Sequence, residues 1–529
     1  MPVSNPICLP VEPQSALSPA LTVALQRQAE DILSYLIKTN GTCTYFREAP
    51  LLSDFRKALE EDETIRAGSS QSLSANNLLS FTKTVPLSTY EDYRPYIARF
   101  LQTPRRLSEV SNLLAPGIPP YVVPSSGTTG GPPKFCLKYI HPPETSSSRI
   151  KAARSLHPMM YITTGNYCII FTLRYFALLD VVDDKDEVVH TSVQCLGSSA
   201  DFRALHKWEP KNDSEIMKMK VPKTTSPLAV CFISVYRTAI LMHGLFALED
   251  RSLQMINALF ATSFVDLMRL IEEYWDTLLE AIEHGVIPKL EGLEEVYDHL
   301  QASCLMRLYY VQEQWRPNPA RAAELRAVGN DTTSPGWAKR LWPNLERILG
   351  SGSGSFSRVV PQVRNYAGPH VSFESVVLAS TEAWIAQVYN PKGDLNLYKM
   401  SADDIFEYLD VTLPETSESL TQAWDVETGK SYELVLTTRD GFWRYRLGDV
   451  VKVVGFDPSD GQPITRYSER RNVYMRLTQE FVTEKELLNA MQSVTDTLGD
   501  VLEFTVIPDE RPLPRTYGFL VELQNELGW

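Results

Sequence analysis

The chain has 529 residues, 43% hydrophobic and 22% charged, close to the globular average, which excludes a wholly disordered, collagen-like or coiled-coil protein. At about 150 residues per domain, this length allows three or four domains at most. With 51 Lys and Arg against 65 Asp and Glu the net charge is −14, so DNA or an acidic membrane face is repelled overall, and neither a nucleic-acid nor a membrane partner is expected.

Between Met1 and Pro10 no basic residue leads into an apolar stretch, so no secretory leader is expected and the protein reads as cytoplasmic. Leu21 to Thr39 carries apolar residues at helical spacing and stops at Asn40-Gly41. Ala67 to Asn77, rich in Ser, Gly and Asn, reads as a loop. Thr89 precedes Tyr90-Glu91-Asp92 as an N-cap with acids in the first turn. Tyr121-Val122-Val123 and Tyr167 to Leu173 read as strands, and the acidic run Asp183 to Glu187 as a solvated turn. Pro227 to Leu248 has the length and apolarity of a membrane span, but Arg237 and His243 interrupt it, and a buried helix is predicted instead. Phe264, Leu267, Met268, Ile271, Trp275, Leu278, Leu279 and Ile282 form one helical stripe closed by His284-Gly285. Ser375 to Leu378, Glu433 to Thr438 and Val450 to Val454 are β-type runs. After Thr483 come a helix (Glu484, Leu487, Leu488, Met491) and two strands, Leu502 to Ile507 and Tyr517 to Leu523. Strands alternating with long helices predict an α/β protein with buried parallel or mixed sheets. The seven cysteines include no C-x-x-C pair, which excludes a zinc ribbon or a thioredoxin-like motif and fits a reducing compartment.

The densest chemical signal is Ser125-Ser126-Gly127-Thr128-Thr129-Gly130-Gly131-Pro132-Pro133-Lys134, directly after a predicted strand. Small residues let backbone N–H groups converge on an anion, the hydroxyls donate to phosphate oxygens, and Lys134 adds a point charge. It is not a Walker A loop, because prolines precede the lysine and Phe135 follows it.

This order resembles the phosphate loop of adenylate-forming enzymes. Leu378-Ala379-Ser380-Thr381-Glu382 looks like their second ATP motif, and Tyr445-Arg446-Leu447-Gly448-Asp449 is similar to the third. With Val85-Pro86-Leu87-Ser88-Thr89-Tyr90-Glu91-Asp92 upstream, and with Leu341-Trp342-Pro343-Asn344 and Gly354-Ser355 between, the chain resembles the GH3 family of acyl-acid amido synthetases. The resemblance implies a large N-terminal domain, residues 1–470, of mixed sheets flanked by helices, and a small α+β C-terminal lobe, residues 471–529, that looks incomplete beside the family's. It implies ATP and Mg²⁺ as cofactors, a small carboxylic acid and an amine or amino acid as substrates, and a monomer. Glu382 would be the Mg²⁺ ligand and, with Thr381 and Lys134, catalytic. Ser125, Ser126, Gly127, Thr128, Thr129, Gly130, Gly131, Ser380, Thr381, Phe442, Tyr445, Asp449 and Arg470 would bind ATP, with Asp449 on the ribose and Phe442 or Tyr445 at the adenine.

The acyl pocket would be lined by Val230 to Phe264, where Arg237 holds the substrate carboxylate, caps a helix or pairs with an acid of the protein. Leu378 stands where the family has tyrosine, and Arg471 where its hinge has lysine. The lysine that the family's C-terminal lobe brings to the phosphates has no counterpart here. Two other readings follow from the same residues: an adenylating ligase with a thiol acceptor such as coenzyme A, and a nucleotide- or acid-binding protein without turnover.

Overall fold

Short apolar strands separated by helices pair in parallel, because each connection is long enough to cross over the sheet. A computed structural model describes residues 12–66, 73–125, 133–141, 165–301, 315–332, 334–375, 377–390, 393–471, 474–477, 480–499, 501–509 and 516–523. The chain forms two compact units interleaved in sequence. The first takes Met1–Pro10, Arg99–Val123 and Leu137–Asp403, and the second Val11–Ala98, Pro124–Cys136 and Asp404–Trp529.

In the first unit, the strands Asn166–Ile169, Leu253–Phe260, Arg347–Ser351 and Ser372–Glu374 lie side by side in that order, all parallel. Leu253, Ile256, Ile348 and Leu349 are fully buried within it, as expected of a sheet covered by helices. The main core joins this sheet to Tyr236–Glu249, Ala261–Glu273 and Trp275–His284, with Trp337 and Trp342 fully buried among them. A second sheet is mixed. Tyr175–Val182 and Val188–Cys195 pair antiparallel, flanked in parallel by Arg105–Arg106 and Tyr121–Pro124. The acidic run between the two long strands is the expected turn, closed by Asp183 N–H on the Glu187 carbonyl at 2.9 Å. Val377–Ala379, Trp384–Val388 and Tyr398–Met400 form an antiparallel meander.

Three expectations shift here. The strand expected over Tyr167 to Leu173 is Asn166–Ile169. The stripe from Phe264 to Ile282 is carried by two helices, Ala261–Glu273 and Trp275–His284, parted at Tyr274, whose φ of −102° and ψ of 22° leave the helical region. A one-residue break keeps the buried face in phase, so periodicity cannot register it. Gly285 caps the second helix with φ +65°, as the sequence predicted. Finally, Pro227 to Leu248 divides into a 3₁₀ turn, Leu228–Phe232, and the helix Tyr236–Glu249. No helix among the described residues is long and apolar enough to cross a membrane.

The second unit contains an antiparallel sheet in the order Pro463–Arg470, Tyr445–Phe456, Ser431–Thr437, Ile405–Asp410, Leu420–Gln422. Its first helix, Pro19–Asn40, starts at Ser18, which accepts from Leu21 N–H, and stops at Gly41. The helix Tyr90–Leu101 begins as expected at Thr89, where the Asp92 carboxylate reaches back to the Thr89 N–H at 2.8 Å. The expected loop at Ala67 to Asn77 is helical from Leu73, in a helix that runs to Thr84. Leu78 and Phe81 bury its inner face, and the Ser and Asn residues that suggested a loop also suit a helix start. Toward the C-terminus lie the hairpin Tyr474–Leu477 and Glu480–Thr483, the helix Glu484–Leu498, and the hairpin Val501–Asp509 and Thr516–Leu523.

Candidate functional site

Each unit carries part of the expected constellation. The hydroxyl-rich segment follows the strand Tyr121–Pro124 and precedes the strand Phe135–Lys138. Its base is pinned twice: Ser125 N–H donates to the Lys134 carbonyl at 2.6 Å, and Lys134 N–H donates to Ser125 Oγ at 3.0 Å. Lys134 Nζ lies 5.8 Å from the centre of the Tyr90 ring, whose hydroxyl accepts from Phe135 N–H at 2.8 Å. The aromatic face therefore holds the ammonium at the foot of the segment. Ser126, Gly127, Thr128, Thr129, Gly130 and Gly131 lie outside the described residues.

The third motif opens the strand Tyr445–Phe456. Gly448 has φ +87°, and a Cβ there would meet the Arg471 carbonyl at 3.1 Å, so the motif's glycine answers a backbone need. Arg471 N–H in turn donates to the Gly448 carbonyl at 2.6 Å. Asp449, only 5% exposed, is paired in register with Arg470, whose Nε is 3.7 Å from its carboxylate. Arg446 grips the buried Glu433 with Nε and Nη2 at 2.9 and 2.8 Å and Glu415 with Nη1 at 2.7 Å. The hydrogen bond to Glu433 leads the causes that push the guanidinium pKa further up. The separate hydrogen bond from Arg446 Nη1 holds Glu415 below the usual carboxylate range. Phe442 and Tyr445 stand apart from this polar group. Each is 1% exposed, with ring centres 4.7 Å apart, and Phe442 meets the Tyr93 ring edge-on at 4.8 Å. Both rings serve the core, and neither has a free face for the adenine.

In the first unit, Ser380, Thr381 and Glu382 form the turn between Val377–Ala379 and Trp384–Val388, just past a register shift at Leu378/Ala379. Ser380 N–H donates to the Ala383 carbonyl at 2.9 Å, and Ala383 N–H donates to Ser380 Oγ at 3.2 Å. Glu382 is 3% exposed, and its carbonyl accepts from Lys138 Nζ at 2.8 Å. The turn joins two antiparallel strands of the meander, which follows Ser372–Glu374 in sequence. Elsewhere in this unit Tyr398 donates to Ser353 Oγ at 2.7 Å, and Ser375 Oγ lies 3.4 Å from the same hydroxyl. Sequence reasoning gave none of Lys138, Tyr398 or Ser353 a place, and Ser375 only as the start of a strand, because nothing local marks their partners. Lys138 and Glu382 are 244 positions apart.

No group of three or more His, Cys, Asp and Glu among the described residues is set to hold a metal ion. A single buried glutamate such as Glu382 fits magnesium carried by a nucleotide, which takes one or two protein carboxylates and completes its shell with phosphate and water.

Comparison with known proteins settles the family. The GH3 family N-terminal domain matches residues 20–371, and the GH3 family central domain matches residues 399–465. The chain belongs to the GH3 family. It is 26% identical over 463 residues to jasmonoyl–L-amino acid synthetase JAR4 of Nicotiana attenuata, covering 85% of this chain and 74% of that one. It is 25% identical over 489 residues to probable indole-3-acetic acid-amido synthetase GH3.11 of Oryza sativa subsp. japonica, covering 89% and 77%. The solved structure of the AtGH3.15 acyl acid amido synthetase in complex with 2,4-DB superimposes with a TM-score of 0.70 at 21% identity, over 96% of this chain and 79% of that one. The expected α/β fold of adenylate-forming type, with mixed sheets and flanking helices, is the fold observed.

In this GH3 chain the region expected to hold the acyl group is arranged differently from the carboxylate-binding reading. Arg237 is 62% exposed on its side chain and makes a two-pronged pair with Glu273, both oxygens at 2.8 Å. The alternative reading, a pair with an acid of the protein, is the one the structure shows. Farther along the same helix His243 is buried, with Nδ1 3.0 Å from Ser226 Oγ. Burial lowers its pKa to about 4. It lines a small cavity with Ile169, Phe171, Phe202, Leu228 and Cys231.

Proposed function

We propose that this GH3 chain is an ATP-dependent acid–amino acid ligase. A small carboxylic acid attacks the α-phosphate of ATP, giving an acyl-adenylate and pyrophosphate. The amine of an amino acid then attacks the acyl carbon, forming the amide and releasing AMP. Activation is needed because a carboxylate is a poor electrophile, whereas AMP is a good leaving group. The observation that best supports this reading is Glu382, buried in the turn between two strands of the meander, with its carbonyl held by Lys138.

In this reading Glu382 holds a Mg²⁺ ion that neutralises phosphate charge. Thr381 donates to the α-phosphate, and Ser380 keeps the turn in shape. The hydroxyl-rich segment and Lys134 bind the phosphates. Asp449 accepts from the ribose hydroxyls, with Arg470 beside it. Residues 471–529 act as a separate C-terminal lobe, and the site of action is the cytoplasm.

A screen of pyrophosphate release over a panel of carboxylic acids, with and without Mg²⁺ and amino acids, tests the assignment. Release is expected only with a matching acid and the metal, and amide should form when the amino acid is added. Release independent of every acid would overturn the assignment.

A further inference from the structure

We propose that Lys138 is a positioning residue of the nucleotide site, acting through the Glu382 turn. The inference rests on the reading of Glu382 given above. Lys138 ends the strand Phe135–Lys138, where the fully buried Leu137 anchors the backbone and the half-buried Lys138 side chain reaches the Glu382 carbonyl at 2.8 Å. The turn's own hydrogen bonds run between Ser380 and Ala383. None of these uses the Glu382 carbonyl, which is the group the ammonium takes. Because the peptide unit is planar, holding that oxygen fixes the 382–383 peptide and with it the backbone angle that aims the Glu382 side chain. A hydrogen bond from a charged donor is roughly twice as strong as a neutral one, so the turn is held where a neutral side chain would leave it loose.

Charge argues the same way. An ammonium held at this turn lowers the cost of bringing a polyphosphate against a buried carboxylate. Lys134 stands four positions earlier, at the foot of the hydroxyl-rich segment. The Lys138 ammonium needs no residue from the C-terminal lobe.

The test uses the whole chain and the variants Lys138→Met, Lys138→Gln, Lys138→Arg and Glu382→Gln. Calorimetry with ATP, in Mg²⁺ and in EDTA, is read beside the melting temperature and the Mg²⁺ dependence of pyrophosphate release. Lys138→Met should weaken binding of ATP in Mg²⁺ by about tenfold, the scale of one charge-assisted bond, and weaken metal-free ATP much less. The Mg²⁺ concentration for half-maximal release should rise in parallel, and Lys138→Arg should recover most of both. If Lys138→Met fails to fold, Lys138→Gln, which keeps a donor but no charge, should show the same selective loss. A lower melting temperature with wild-type Mg²⁺-dependent binding in Lys138→Met or Lys138→Gln, while Glu382→Gln is impaired, would overturn the role of Lys138 alone. Wild-type Mg²⁺ dependence in Glu382→Gln would instead overturn the metal reading of Glu382.

Discussion

Arg444 and Glu407 form a fully buried ion pair, each 1% exposed, with Nε to Oε2 at 2.8 Å and Nη2 to Oε1 at 2.7 Å. Arg444 lies just before Tyr445–Phe456, and Glu407 lies two strands away in the same sheet. Arg444 Nη1 also donates to the Thr82 and Val85 carbonyls at 3.0 and 2.6 Å. One guanidinium thus ties the sheet to the end of the helix Leu73–Thr84. Removing one partner leaves a buried charge unpaired. Arg444→Met is expected to cost about 3–5 kcal/mol of stability, and the double variant with Glu407→Leu less than the sum of the two single changes. Denaturant unfolding of the single and double variants checks this.

Gly448 should not tolerate a side chain. Its φ is positive, and a Cβ there would stand 3.1 Å from the Arg471 carbonyl oxygen, so backbone strain and close packing act together against substitution. Gly448→Ala is expected to lose about 1–2 kcal/mol, as an L-residue forced into this region does. It should also weaken ATP binding, because Asp449 follows directly on the same backbone. Calorimetric titration with ATP, beside the melting temperature, separates the two effects. Asp449→Ala should weaken ATP binding while changing stability less.

His243 makes stability depend on pH. Burial holds its folded pKa at about 4, below the 6.5 of the free side chain. At pH above 6.5 both states are neutral and nothing is lost. As pH falls, the unfolded chain takes up the proton first, so stability drops progressively from 6.5 to about 4, by roughly 3 kcal/mol in total. Urea unfolding between pH 7 and pH 4.5 should show this fall. His243→Asn, which does not titrate, should flatten it relative to the wild type.

Arg237 and Glu273 form an exposed pair, with side chains 62% and 53% accessible. Arg237→Ala is therefore expected to change stability by less than about 1 kcal/mol, and to leave the KM for the acid substrate unchanged. A tenfold rise in that KM would restore the carboxylate contact that the resemblance suggested.

Much of the constellation is written in short windows of sequence. Gly448 is required by one backbone angle, Asp92 by the amide it caps, and Gly285 by the left-handed end of its helix. Asp92 and Gly285 are set by neighbours within a few positions, and so is the backbone angle of Gly448, though its close contact with Arg471 is not. The same holds for the long strands on either side of Glu433 and Val450, whose β-branched and aromatic runs name their own conformation.

What remains depended on partners distant in the chain. Nothing near Lys138 announces a carbonyl 244 positions away, and nothing near Arg444 announces Glu407 or Val85. The aromatic character of Phe442 and Tyr445 suits a nucleotide base and a core equally, and only packing against Tyr93 decided for the core. Local pattern determined which residues carry polar chemistry and where strands and helices form, since hydrogen-bond geometry and side-chain periodicity act over a few residues. Tertiary structure alone decided which of those residues are buried, which ones meet, and how the chain divides into two interleaved units, because those outcomes depend on contacts between segments that the sequence separates.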